Sequence, residues 1–176
     1  MAKSKKSANN KRRFAIDHSA KYYPIMSTKK AQSLFCISAK MFDEVDRDVL
    51  EVALNDVLNR FQAYKVRLKK GYAWRFFEHN DAPAKVFGNE ALLTPINPDD
   101  TNGYWFRVSA VGNLIKLEMF HALADGNGAL MFLRSIVKRY RELLGFEVED
   151  AGIIDGKSPS YDAEFEDGLE NKYKPI

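Results

Sequence analysis

One histidine in this chain stands where it can do chemistry. The segment Phe120-His121-Ala122-Leu123-Ala124-Asp125-Gly126-Asn127-Gly128 joins a hydrophobic run to a longer periodic stretch. Gly126 and Gly128 fall where the chain must turn, and they offer permissive backbone angles and room for a ligand. A neutral imidazole titrates near physiological pH. Held in one tautomer at a strand end, it can take the proton from an alcohol or amine that attacks a thioester. Asp125 occupies the N-cap position of a following helix, where it can both cap the first turn and clamp the loop. A buried carboxylate needs a cation, and Lys65 and Arg67 are both candidates for it. If residues 121–125 were helical, His121 and Asp125 would share a face and suggest a metal pair. Gly126 and Gly128 argue against a helix there. The other histidines, His18 and His79, lie in polar surroundings without ligand spacing, so no metal site is expected.

The elements that must position these groups are legible from periodicity. Residues 105–111 and 114–120 predict two strands around the turn Gly112-Asn113, the clearest hairpin in the chain. The long helix after the glycines carries an apolar stripe of Leu130, Leu133, Val137, Tyr140 and Leu144, widened by Ile136 and Leu143. Lys138, Arg139 and Arg141 suit its C-terminal end, and Gly145 the position just past it. Upstream, residues 33–40 predict a strand containing the sole cysteine, Cys36, as a buried structural thiol. Asp46 opens a helix with Val49, Leu50, Ala53, Val57, Leu58 and Phe61 on one side.

Tyr64, Val66 and Leu68 then alternate with Lys65, Arg67 and Lys69, predicting a half-buried strand with Lys65 and Arg67 on one face. Gly71 turns this strand into a partner over residues 72–78. Its aromatics, Trp74, Phe76 and Phe77, can line a tunnel but suit a core better. Residues 17–23 read as a helical turn ended by Pro24, and Pro83 followed by residues 89–102 as a loop-rich connection. The fold class predicted is α+β, with helices against a mainly antiparallel sheet.

Charge is unevenly distributed. Residues 1–13 hold six bases and no acid, and residues 146–176 hold nine acids against three lysines. That leaves 18 of the 27 bases and 15 of the 24 acids between them, a balance that does not suit a nucleic-acid binder. The organisation predicted is a basic tail at 1–13, one domain at 14–145 and an acidic linker or tail at 146–176. One cysteine excludes an internal disulfide and fits a reducing cytoplasm. No apolar run is long enough for a transmembrane segment, and no apolar stretch follows the basic start as in a signal peptide.

The 120–128 segment resembles the His-His-x-x-x-Asp-Gly motif of the chloramphenicol-acetyltransferase-like superfamily, which includes condensation domains and alcohol acetyltransferases. The second His falls on His121, the Asp on Asp125 and the Gly on Gly126, while Phe120 replaces the first His. Residues 60–68 are similar to the helix-to-strand segment that carries the family's Asp-pairing Arg, with Lys65 or Arg67 at that place. The resemblance covers residues 14–145 and is nearest to bacterial alcohol-acetyltransferase-like proteins.

It implies a two-layer sandwich with helices on one face of the sheet. It further implies an acyl-CoA-dependent O-acyltransferase with His121 as general base on the acceptor hydroxyl and Asp125 mainly structural. No bound cofactor is expected; acetyl-CoA or another acyl-CoA enters as cosubstrate, with a small alcohol as acceptor. Family members usually place two such domains in one chain, with the tunnel between them. The expectation for this chain is therefore the N-terminal half, completed by a C-terminal domain or by homotrimerisation. Two alternatives stand beside it: a catalytically incomplete fragment or binding module, and a condensation-type enzyme using carrier-bound acyl groups.

Overall fold

The computed structural model describes residues 13–14, 32–70, 75–88, 93–149 and 153. In chain order the elements are β1 (Arg13–Phe14), β2 (Leu34–Lys40), α1 (Arg47–Arg60), β3 (Val66–Lys70), β4 (Arg75–His79), β5 (Val86–Phe87), β6 (Phe106–Val111), β7 (Leu114–Phe120) and α2 (Gly126–Leu143). Among the described residues two sheets form, in the orders β2-β7-β6-β5 and β1-β4-β3. Every pairing is antiparallel except that of β5 with β6. The expected short turn at residues 17–23, the Gly71 turn and residues 154–176 lie outside the described residues, as does all of the basic stretch but Arg13.

Strand alternation sorts the four-stranded sheet into two faces. Phe35, Ile37 and Ala39 of β2, Ile115, Leu117 and Met119 of β7, and Phe106, Val108 and Ala110 of β6 enter the main core. Both helices supply the other side of that core, through Leu50, Ala53, Leu54, Val57 and Leu58 of α1 and Ala129, Phe132, Leu133, Ile136 and Tyr140 of α2. Asp46 caps α1 by accepting bonds from the backbone N–H groups of Asp48 and Val49, and its own N–H donates to the Tyr140 hydroxyl at the far end of α2. The β6–β7 hairpin closes through Gly112-Asn113 with φ of +56° at Gly112. A positive φ at the first loop residue alone marks a type II′ turn, for which glycine is the natural occupant.

The opposite face of the sheet is polar. Arg107 and Glu118 face each other across β6 and β7 and are 8% and 1% exposed, so each charge relies on the other. Arg107 Nε donates to Glu118 Oε2 at 2.7 Å, and Arg107 Nη2 donates to Thr94 Oγ1 at 3.1 Å. Glu118 Oε1 accepts the Leu93 N–H at 2.6 Å, which holds Leu93 at a φ of +55° that leucine rarely adopts. The 93–96 segment is thereby pinned across the sheet. Gln32 ties its far end, accepting from Ile96 N and donating to Ile96 O.

Four local expectations are corrected. Leu133, Ile136 and Tyr140 of the expected stripe are buried, but Leu130, Leu143 and Leu144 are 40%, 37% and 44% exposed, and Ala129 and Phe132 take the place of Leu130 at the start of α2. Helical periodicity allows the stripe to start at either place. The aromatic group of Phe61, Tyr64 and Phe106, each ring within 5.6 Å of Phe132 by centroid, decides for Phe132. Tyr64 and Lys65 precede β3 instead of opening it: Tyr64 N and Lys65 N donate to Phe61 O and Gln62 O in a turn that closes α1. The stretch between Pro83 and the 89–102 run, for which no element is expected, contains β5, paired in parallel with β6. Cys36 is only half-buried, on the polar face opposite Glu118.

Candidate functional site

The site is built where β7 gives way to α2. Phe120 is fully buried and belongs to a second, smaller core with Val66, Phe77 and Ala122. Its N–H donates to Trp105 O, which extends the hairpin ladder by one rung. His121 still holds the sheet by its backbone, donating to Ser33 O at 2.9 Å. Its half-buried imidazole lies against Phe35, with centroids 5.1 Å apart and planes tilted by 59°. Leu123 N donates back to Phe120 O, and Leu123 packs on both cores. The turn thus sits between two hydrophobic clusters, which fix its backbone from either side.

Asp125 closes the turn. Its extended backbone (φ −81°, ψ 179°) and the bond from Gly128 N to Oδ1 at 2.8 Å make it the N-cap of α2. Gly126 therefore begins the helix. A Cβ at Gly126 would meet nothing within 4 Å, so a ligand can approach there. Gly128 is crowded instead: a Cβ there would stand 2.6 Å from the Tyr64 hydroxyl.

Neither cation expected beside Asp125 reaches it. Lys65 Nζ donates to Asn59 Oδ1 at 2.6 Å. Arg67 donates to Glu78 Oε2 from Nε at 2.9 Å and from Nη2 at 2.6 Å. The physical reason lies in the local fold. Lys65 leaves the helix in the closing turn, where the α1 end is nearest, and Arg67 faces Glu78 directly in the β3–β4 register. Asp125, an exposed helix cap, accepts the Gly128 backbone N–H and is open to water, so it does not depend on a side-chain cation. The structure therefore joins His121, Asp125 and Gly126 in one turn and leaves Lys65 and Arg67 out of it.

Tyr64 is the neighbour that sequence reasoning did not single out as part of the site. Burial first, and then the Asp125 carboxylate, push its hydroxyl up to about 12, so it stays protonated at neutral pH. No spacing rule links residue 64 to residue 128, and only the packing of the α1 end on α2 brings them together. The other expected residues lie elsewhere. His79 is paired with Asp81 at 3.0 Å at the end of β4, and Phe77 belongs to the small core. Among the described residues no cluster of three His, Cys, Asp or Glu is placed to hold a metal ion, and no helix is long and apolar enough to cross a membrane.

No family model matches the chain, and no curated protein sequence matches it. Solved structures do match in fold. The starter condensation domain of the rhizomide synthetase RzmA, in complex with C8-CoA, superposes with a TM-score of 0.59 at 14% identity, covering 76% of this chain and 36% of that one. SgcC5 from Streptomyces globisporus, in complex with a naphthyl-ethanediol and sucrose, gives 0.59 at 13% identity, covering 77% and 38%. The polyketide synthase associated protein 5 from Mycobacterium tuberculosis gives 0.59 at 15%, covering 85% and 35%. The chain has the chloramphenicol-acetyltransferase-like fold of condensation domains, and it spans little more than a third of the chains it matches. At such identities the likeness carries the fold and not the reaction.

Proposed function

We propose that this chain carries the acceptor-activating half-site of an acyl-CoA-dependent O-acyltransferase of the alcohol-acetyltransferase type. The observation that carries the reading is the position of His121. It stands at the end of a buried strand, tied to Ser33 by its backbone and supported by Phe35, directly before an Asp125-capped helix whose first glycine is uncrowded. The acyl-CoA bound by one structural neighbour and the diol held by another support the two substrate classes.

In this reading His121 takes the proton of the acceptor hydroxyl as its oxygen attacks the thioester carbonyl. The tetrahedral intermediate collapses by breaking the C–S bond. Coenzyme A departs as thiolate and is protonated from the imidazolium, which restores the neutral base. Asp125 holds the turn as a cap, and Gly126 leaves space for the acyl group. Lys65 and Arg67 support the α1 end and the β3–β4 hairpin from outside the turn.

The test is release of coenzyme A from acetyl-CoA and octanoyl-CoA in the presence of simple alcohols. His121→Ala is expected to lose about 10²–10⁴-fold in turnover while its thermal unfolding stays near wild type. Turnover unchanged in that variant would sink the general-base role.

A second reading is favoured by the coverage of 35–38% of the matching chains: a folded module that is inactive until a further domain or further copies of itself complete the site. Light scattering with and without acetyl-CoA separates the two. A trimer with turnover supports the first, and a monomer indifferent to acetyl-CoA supports the second.

A further inference from the structure

Tyr64 lies in the turn that ends α1, far in sequence from the turn that carries His121. Its ring stacks on Phe61 (5.7 Å, 21°) and meets Phe132 edge-on (5.1 Å, 75°), so its plane is fixed by aromatic packing. That geometry delivers the hydroxyl to the first turn of α2. A Cβ on Gly128 would stand 2.6 Å from the Tyr64 oxygen, 3.3 Å from Asp125 Oδ1 and 3.5 Å from Ala124 Cβ. These are the three nearest atoms, so the Tyr64 ring carbons stand no closer than the last of them, at ordinary contact distance. The hydroxyl oxygen is therefore the principal obstacle to a side chain at Gly128. Gly128 does not have a positive φ, so its backbone would accept alanine and the restriction is steric. The same residue donates its N–H to Asp125 Oδ1. One residue thus receives the cap on one side and the phenol on the other.

We propose that Tyr64 is a positioning residue of the turn that carries His121: its hydroxyl, seated in the space left by Gly128, fixes where the first turn of α2 begins and so sets the far anchor of that turn. The proposal rests on reading the turn as the functional site, but its test needs no turnover.

The full chain has three histidines, so the His121 ring proton resonance is identified by its loss in His121→Asn. Tyr64→Phe keeps the ring and removes only the oxygen. It is expected to fold and to shift the His121 resonance, while the His79 signal stays in place. Gly128→Ala is expected to lower the melting temperature by roughly 5 °C, and adding Tyr64→Phe to it should restore most of that loss because the obstructing oxygen is gone. A Tyr64→Phe protein whose His121 resonance matches wild type overturns the proposal. So does a double variant no more stable than Gly128→Ala alone. Should acyl transfer through His121 be measured while these shifts fail to appear, the positioning role falls and the catalytic reading stands. Should the shifts appear in a chain that transfers no acyl group, the reverse holds.

Discussion

At the scale of single residues, environment decides what each group can do. Cys36 illustrates this. It is half-buried on the polar face of the sheet, and burial followed by the Glu118 carboxylate pushes its thiol above its ordinary range, against weaker pulls from Lys116 and Arg107. The thiolate is the nucleophile, so a raised pKa keeps the reactive form scarce at neutral pH. Alkylation by iodoacetamide is therefore expected to be slow at about pH 7, with a rate that keeps climbing beyond about pH 9. A fast, pH-independent reaction near neutrality would contradict that environment. Asp125 makes the complementary point: an exposed carboxylate that caps a helix through the Gly128 N–H and meets water on its other side requires no cation to hold its place in the turn.

At the scale of elements, two interactions define what holds the site in place. The first is the seating of α2. Phe132 is fully buried among Phe61, Tyr64 and Phe106, whereas Leu130 is 40% exposed. Phe132→Ala is expected to cost about 3–5 kcal/mol, and Leu130→Ala much less, by denaturant unfolding. Equal costs would show the stripe to be misplaced. The second is the buried pair Arg107–Glu118 beneath the 93–96 segment. Removing one member strands the other, so Arg107→Ala is expected to destabilise by about 3–5 kcal/mol. The double replacement Arg107→Met with Glu118→Leu should cost less than Arg107→Ala, because it leaves no unpaired buried charge. A double variant worse than the single one would mean that the Leu93 and Thr94 contacts, and not the pair itself, carry the energy.

At the scale of the whole molecule, the turn that bears His121 is clamped between the main core and the smaller cluster of Val66, Phe77, Phe120 and Ala122. Such a turn is held before any ligand arrives, which limits the ordering cost of binding. An acyl-CoA bound there would stabilise the folded state by mass action. At a hundred times its Kd the gain is about 2.7 kcal/mol, visible as a rise in melting temperature with octanoyl-CoA. No shift at any octanoyl-CoA concentration would leave the incomplete-module reading as the better account.

Much of this was determined by the sequence alone. The 3.6-residue and two-residue periods located α1, α2, β2 and the β6–β7 hairpin, because burial of one face leaves a local imprint on residue type. The turn motif from His121 to Gly126 was equally local, since a strand end, an N-cap and a glycine are properties of adjacent residues. What only the tertiary structure decided are the contacts between segments distant in the chain. The period of α2 is met whether its stripe starts at Leu130 or at Ala129 and Phe132, and the aromatic group contributed by the turn after α1 and by β6 chose between them. Lys65 and Arg67 were equivalent as charges until the closing turn gave one to Asn59 and the strand register gave the other to Glu78. One valine and one phenylalanine, Val86 and Phe87, carry no period, so β5 emerged only where β6 offered it an edge. Tyr64 and Gly128 met because α1 packs on α2; local patterning cannot encode a distance across 64 residues, and packing can.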